Sequence, residues 1–285
     1  MTISDSTATT SFDPSYGTAN QFGHTSELHI HASDKNGQTY LSDVHFTAPF
    51  KIMQPFKKRD GSLQVMLLQA SAGIMDGDRQ RFSFEIDPGA KLEFISQSYD
   101  KVHPMKEDFA ERSIEVTCAH DSMFYFHPQP MIPFRNSRFI NKMEIHLEDG
   151  TAAFSLCEIF TAGRLGYENE RFAYDYYSNK VDIYRGSRHI YRDNTLFAPD
   201  QMDMEGMGMY EGCTHQANLF LTRLSADGFE DSIQEILDED AKTEGAITRL
   251  IDEDYAVRIL GHRAQDLEMI TGKVLTAWGS SCCPQ

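Results

Sequence analysis

The chain has 285 residues, of which 40% are hydrophobic, and a formal net charge of -17. This length can bury the core of one large domain or two ordinary ones. The excess of carboxylates would repel phosphate backbones, so we expect no nucleic-acid partner. No run approaches the ~20 apolar residues that a membrane-spanning helix requires, so we also expect a soluble protein with no membrane partner.

The N-terminus and the cysteines indicate a cytoplasmic protein. Residues 1–25 carry neither a basic start nor an apolar stretch, which predicts a flexible tail and not a signal peptide. The five cysteines are an odd number without a repeated C-x-x-C spacing, so neither a disulfide framework nor a structural zinc site is indicated. Residues 26–285 contain no low-complexity linker, and we predict a single β-rich domain with C-terminal helices.

The first predicted strands flank a turn near residue 88. Phe82, Phe84 and Ile86 alternate with polar residues, and the alternation ends before Pro88 and Gly89. Pro followed by Gly suits a type II turn, because Pro sets the first central φ and Gly accepts the positive φ of the second. We therefore predict an antiparallel hairpin over residues 80–98.

The same pattern recurs twice at intervals of roughly 30 residues, the spacing of a stacked β-architecture. It predicts a mainly β fold of stacked antiparallel strands. The two later pairs are Arg112–Cys118 with Met123–Phe126, and Lys142–Leu147 with Ala152–Phe160. Further short strands are predicted at Arg171–Tyr177 and Val181–Tyr184.

Helical periodicity occurs only near the C-terminus, where two apolar faces flank a predicted strand at Asp254–Leu260. We therefore expect the order helix, strand, helix. The first face consists of Phe229, Ile233, Ile236 and Leu237, and the second of Leu267, Ile270, Val274, Leu275 and Trp278.

Common catalytic motifs are missing from the sequence. There is no G-x-S-x-G turn of an α/β-hydrolase, and Gly272-Lys273 lacks the glycine-rich loop and hydroxyl residue of a nucleotide-binding P-loop. Gly206 and Gly208 lack the third glycine of a dinucleotide fingerprint. These patterns do not predict hydrolase, nucleotide-hydrolysing or dinucleotide-dependent activity.

Several sulfur and imidazole groups are candidate metal ligands. The methionines at 202, 204, 207 and 209 offer soft sulfur atoms suited to copper(I), although gap-filling in a loop explains them more simply. Cys213 and His215 are close enough in sequence to share a metal ion. No role is assigned to the thiols of Cys282 and Cys283.

Two carboxylates in strand contexts attract more interest. Every neighbour of Glu158 is small or apolar, so its strand is expected to be buried, and an unpaired charge there would cost several kcal/mol. The charge of Glu158 therefore needs either a structural partner, such as an arginine or a backbone amide, or contact with water in an internal passage. Asp78 ends a glycine-punctuated turn, where Asp is also common as a turn former.

The order of several segments resembles the urease accessory proteins of the UreD type, also called UreH. The resemblance covers roughly Ser42–His215 and is carried chiefly by Thr47–Lys58, Leu67–Asp78, His127–Phe134 and Thr161–Phe172. The chain departs from the family pattern at Gln54, where an arginine is usual, and at Ala72 and Asp76, where glycines are frequent. The last change places an added carboxylate close to Asp78 in the sequence.

The resemblance implies a β-superhelix flanked by α-helices and a protein that is not an enzyme. Family members act as a scaffold between the urease subunits and the accessory proteins UreF and UreG. Nickel passes through an internal passage in transit, and no cofactor is permanently bound. By match of motif, Asp78 and Glu158 fall at positions associated with that nickel passage.

The sequence is also compatible with two other interpretations. One is a carbohydrate-active enzyme on stacked β-strands that uses two carboxylates as acid and base. The other is a structural β-scaffold without a metal. Cleavage of polysaccharide would identify the first, and partner binding without carboxylate-dependent nickel transfer would identify the second.

Overall fold

The computed structural model describes residues 25–167, 170–222 and 228–281, so the tail predicted at the N-terminus and the Cys282-Cys283 pair lie outside the described residues. Within these ranges the chain forms strands, two α-helices and one turn of 3-10 helix at Ile251–Glu253. The strands are β1 (Ser26–Lys35), β2 (Gln38–Phe46), β3 (Phe50–Ile52), β4 (Phe56–Lys57), β5 (Leu63–Gln69), β6 (Arg79–Ile86), β7 (Lys91–Ser96), β8 (Asp100–Val102), β9 (Ala110–Cys118), β10 (Met123–His127), β11 (Met131–Pro133), β12 (Arg138–Leu147), β13 (Ala153–Thr161), β14 (Tyr176–Arg185), β15 (Arg188–Phe197), β16 (His215–Leu221), β17 (Thr243–Arg249) and β18 (Tyr255–Gly261). The helices are α1 (Phe229–Asp238) and α2 (Ala264–Ser281).

The strands form two sheets. The first has the order β15-β14-β12-β9-β6-β1-β2, and its strands from β14 to β1 are all parallel neighbours. The second follows β17-β18-β16-β13-β10-β7-β5-β3, with β13, β10, β7 and β5 parallel. The mainly β prediction is confirmed, and the superhelical winding stays a prediction. The predicted antiparallel arrangement is wrong for the central strands of both sheets, whose neighbours run parallel.

The predicted hairpins are wrong in their pairing, although their strands are found. The strands on either side of Pro88 and Gly89 lie in different sheets, and the same holds for the two later pairs. A turn reverses the chain direction but does not determine which strand becomes the neighbour. Here the aromatic ring of Phe84 on β6 meets that of Phe94 on β7 edge to face, with centroids 5.0 Å apart, so the two strands bury their apolar faces against each other across the space between the sheets.

Other boundaries differ in smaller ways. The two short strands predicted between residues 171 and 184 are one continuous strand, β14, which starts only at Tyr176. β17 was not predicted, because Ile247 is the only large apolar residue on its less exposed face, so its sequence shows no apolar alternation. The predicted strand before the last helix is confirmed as β18.

Both predicted helices are confirmed. The buried residues of α1 are Phe229, Ile233 and Leu237, and those of α2 include Leu267, Ile270, Val274 and Trp278. They pack on the outer side of the second sheet in an apolar cluster with Cys157 and Ile159 of β13. In the described part of the chain, neither helix is long and apolar enough to cross a membrane.

A substitution in α1 tests whether this helix packs against the second sheet. Ile233 is completely buried, so Ile233→Val is expected to lower the free energy of unfolding by about 1 kcal/mol. Urea denaturation measures the change. Ile251→Val is the matched control, because Ile251 is 54% exposed and its loss of a methyl group should leave the midpoint unchanged. Equal effects in the two variants would contradict the packing of α1.

Candidate functional site

Glu158 lies in the middle of β13, a strand whose residues are all buried. On one face of β13, Phe154, Leu156 and Phe160 point between the sheets, and Glu158 shares their phase. On the opposite face Cys157 packs toward the helices. The burial predicted from the apolar neighbours of Glu158 is therefore present, with 6% of the residue exposed.

Two asparagine amides of the first sheet hold the carboxylate of Glu158. Asn179 Nδ2 donates to Glu158 Oε2 at 2.9 Å, and Asn141 Nδ2 donates to Oε1 at 3.4 Å. Burial raises the pKa of Glu158 to about 7. The hydrogen bond from Asn179 acts in the opposite direction. The negative charge of Asp193 raises the pKa further, and the positive charge of Arg112 lowers it. A buried carboxyl with this pKa changes charge near neutral pH.

The two asparagines belong to a row of buried polar residues that crosses the inner face of the first sheet. Strand pairing places Gln80 beside Arg112, Arg112 beside Asn141, and Asn141 beside Asn179. Arg112 Nε donates to Gln80 Oε1 at 2.8 Å, and Asn141 Nδ2 donates to Asn179 Oδ1 at 2.8 Å. We call Gln80, Arg112, Asn141 and Asn179 the polar row.

Apolar clusters flank the polar row on both sides. Two residues further along the strands, the apolar cluster between the sheets contains Phe82, Ile114, Met143 and Val181. Two residues earlier, a second cluster contains Ala110, Phe139 and Tyr177. The interior therefore holds one polar layer between two apolar ones, and the carboxylate of Glu158 faces that layer from the second sheet.

Two cavities adjoin the polar row, with volumes of about 350 and 320 Å³ including their open parts. Each has enclosed room for about one water molecule. Glu158 and Asn141 line the second cavity together with Tyr177, while Gln69 and Ser98 line the first. Both cavities share the residues Asp100, Arg112, Phe126 and Pro128.

Several buried polar atoms near the layer have no hydrogen-bond partner among the described residues, and Gln69 Nε2 beside the first cavity is one of them. The others are Asn141 Oδ1, Tyr177 Oη and Asn218 Nδ2, and Asn218 pairs with Glu158 in the strand register. Burying such atoms without partners is costly, so each retains a free capacity to bind a small polar ligand.

Asp78 lies apart from Glu158, in the turn that leads into β6. Its Oδ2 accepts a hydrogen bond from the backbone N–H of Met75 at 2.8 Å, as expected for a turn former. Burial raises the pKa of Asp78, opposed by that hydrogen bond and by the charge of Arg79. Asp78 lines neither cavity, and its nearest link to the polar row is Gln80, two residues later on the same strand.

The departures from the family pattern do not disturb Asp78. The Asp76 carboxylate accepts backbone N–H bonds from residues 106, 107 and 108, so it is fixed against a neighbouring loop. Its charge is not among the causes that shift the pKa of Asp78. Gln54 is exposed on the surface.

The other candidate ligands are dispersed. Met204 is buried in an apolar cluster and Met209 packs against it, whereas Met207 is 96% exposed, which matches gap-filling and not a sulfur cage. The thiol of Cys213 contacts His262 Nε2 at 3.9 Å, and His215 Nδ1 bonds the hydroxyl of Thr214. Over residues 25–167, 170–222 and 228–281, no three or more His, Cys, Asp or Glu side chains form a group that could hold a metal ion.

Asp100 and the polar row were missed by sequence reasoning. Their signal is present but weak, because each residue of the row occupies the inward-facing phase of an otherwise apolar strand. The alignment of four such positions depends on strand register between segments about 30 residues apart, which periodicity does not reveal.

Comparison with known proteins identifies the family. The family model of the UreD urease accessory protein matches residues 24–284. Urease accessory protein UreD of Acetivibrio thermocellus is 36% identical over 253 residues, covering 88% of this chain and 96% of the relative. Urease accessory protein UreH of Helicobacter pylori strain G27 is 32% identical over 84% of this chain and 89% of the relative, and UreD of Flavobacterium johnsoniae is 30% identical over 85% and 87%. The chain therefore belongs to the UreD family of urease accessory proteins.

Proposed function

We propose that this protein passes nickel to the urease active site in the cytoplasm, as a scaffold between the urease structural subunits and the UreF- and UreG-type accessory proteins. The single observation that carries the proposal is the buried, ionisable carboxylate of Glu158 facing a polar layer and a cavity between two sheets. Nickel is the cargo in transit, and the protein itself performs no reaction.

The oxygen atoms beside the second cavity suit the transit of nickel better than its storage. A passage must replace part of the water shell of an ion without retaining the ion. Carboxylate and amide oxygens together with water are hard, readily exchanged ligands, while a cage of thiolates or imidazoles would hold nickel tightly. The second cavity offers the carboxylate of Glu158 and the amide oxygen of Asn141, with no group of three or more His, Cys, Asp or Glu ligands in the described residues.

The electrostatics of Glu158 favour a cation at this position. The raised pKa means that the charged form is costly in its buried setting. A divalent cation beside the carboxylate would offset that cost and release the proton. The bound ion would then move on when a site of higher affinity, in urease, lies ahead of it.

Asp78 is proposed to line the passage near the start of β6. Asp78→Ala is expected to lower the nickel content of co-expressed urease, because it removes a carboxylate whose charge is partly desolvated. Asp149→Ala is the matched control: its carboxylate likewise accepts a backbone N–H within a turn, from Thr151, at a distant exposed position. Equal nickel contents in the two samples would remove Asp78 from the passage.

Co-expression tests the function as a whole. The protein is co-expressed with UreF- and UreG-type partners and with urease, the complex is co-purified, and the nickel in urease is measured. We expect co-purification and nickel loading that depends on this protein. Fully loaded urease in its absence, or failure to associate with any of these partners, would contradict the proposal.

The carbohydrate-enzyme alternative gains no support from the site. Asp100 and Glu158 line one cavity, as a pair of catalytic carboxylates would. The enclosed space there admits about one water molecule, however, and a sugar ring is many times larger.

A further inference from the structure

One ion pair separates the two interior cavities. Arg112 Nη1 donates to Asp100 Oδ2 at 2.7 Å, and both residues line both cavities. The side chains are only 6% and 12% exposed. The pair therefore lies at the boundary between the cavity beside Gln69 and Ser98 and the cavity that contains Glu158.

The guanidinium of Arg112 is fixed from several sides. Its Nε donates to Gln80 Oε1, and its carbon lies 5.0 Å and 5.7 Å from the ring centroids of Phe82 and Phe139. A planar guanidinium held by a hydrogen bond and two rings has little freedom to move aside. In the described residues the Asp100 carboxylate accepts one hydrogen bond, from Arg112, so it has fewer contacts to break on turning away than Arg112 has.

A fixed positive charge on a cation route is unexpected. Alone, Arg112 would repel a divalent ion strongly in a medium of low dielectric constant. Asp100 alone would have the opposite effect, because with Glu158 it would place two carboxylates on one cavity and retain the ion. Together the two charges nearly cancel, which gives an interior that neither excludes nor traps a divalent cation.

We infer that the Arg112–Asp100 pair is the gate of the cation passage, in which Arg112 competes with the passing ion for the Asp100 carboxylate. The inference rests on the proposed function and adds a positioning residue of the same charge sign as the cargo. With no ion present, the pair is closed. When a divalent cation arrives, the Asp100 carboxylate turns to it, and Arg112 afterwards recovers the carboxylate and drives the ion onward.

The gate predicts opposite effects for two neutralising substitutions. Purified complexes with UreF- and UreG-type partners are incubated with Ni²⁺, desalted, and analysed for retained nickel and for nickel delivered to apo-urease. Arg112→Gln should retain about tenfold more nickel than wild type at limiting Ni²⁺, and Asp100→Asn about tenfold less, since one neighbouring charge changes affinity by at least this factor. Both should deliver less nickel. The double variant Arg112→Gln/Asp100→Asn should recover part of the delivery.

A merely structural ion pair would behave differently. Arg185→Gln is the matched control, because Arg185 forms a buried ion pair with Asp254 and lines neither cavity. It should lower stability without changing nickel retention. Retention that moves in the same direction in both gate variants, or that does not move, would overturn the gate.

Two further comparisons keep the result decisive. If Arg112→Gln fails to assemble with its partners, Arg112→Lys and Asp100→Asn are compared instead. Arg112→Lys keeps the positive charge and should deliver nickel. Equal delivery by Asp100→Asn would overturn the gate. Glu158→Gln separates the two proposals. Nickel delivery that responds to Glu158→Gln but to neither gate variant defeats the gate alone, and delivery that responds to none of them defeats the passage as well.

Discussion

Glu158→Gln is expected to lower the nickel content and the specific activity of co-expressed urease by about tenfold or more, since losing 1.4 kcal/mol of stabilisation along a transfer step slows it tenfold. The substitution keeps the volume and removes only the charge that would attract the cation. Asn179 Nδ2 would still donate to the amide oxygen of the glutamine, and only the longer hydrogen bond from Asn141, at 3.4 Å, would be lost. The nickel passage, and not the fold, is therefore the property under test.

Glu115→Gln provides the control for this experiment. Glu115 is exposed on the outer face of the first sheet, so the same chemical change there should leave nickel loading at the wild-type level. Co-purification of the partners is measured in parallel, because it reports assembly independently of nickel. Urease that is fully loaded in the presence of Glu158→Gln would exclude Glu158 from the passage.

The stability of the protein should respond to the same substitution with the opposite sign. An exposed glutamate titrates near 4.5, while the pKa of Glu158 in the folded protein is about 7. The unfolded chain therefore releases this proton at a lower pH than the folded protein, and stability falls as the pH rises from 4.5 through 7. Over the whole interval the loss amounts to about 3 kcal/mol.

Glu158→Gln has no proton to lose and should escape this decline. The difference in free energy of unfolding between variant and wild type should grow in favour of the variant by about 3 kcal/mol from about pH 4.5 to about pH 8, as measured by urea denaturation at each pH. Glu115→Gln should show no such growth. A constant difference across the range would mean that Glu158 is not held in the buried setting described above.

Together the two results separate function from folding. A variant that becomes more stable at alkaline pH and yet delivers less nickel cannot have lost its activity by unfolding. Few buried positions offer this separation, because most core substitutions lower both quantities.

The positions of strands and turns could be predicted from the sequence, but the pairing of the strands into sheets could not. Local alternation located the strands around Phe84 and Phe94 and the turn at Pro88, because period-two burial and turn chemistry act over a few residues. The assignment of these strands to opposite sheets depends on packing between residues that the turn does not specify. For the same reason the parallel order of the first sheet could not be predicted.

The sequence predicted the buried carboxylate of the candidate site but not the residues that contact it. Glu158 was identified from its apolar neighbours, since a carboxyl among them needs a partner. The partners, Asn141 and Asn179, become adjacent only through the register of β12 and β14, and Asp100 reaches Arg112 only through the fold. The sequence marked Asp78 only as a turn former, and its role in the passage came from the resemblance; its carboxylate accepts a hydrogen bond within its own turn.

The covering of β13 on both faces constrains how cargo can be exchanged. The first sheet covers one face and the helices cover the other, so an ion cannot reach Glu158 perpendicular to the strand. In the proposed passage the ion would therefore move edgewise, between the layers, from the rim where Ser98 is exposed. A donor protein would have to seat on that rim, and its docking would seal the entrance from bulk water at the moment of transfer.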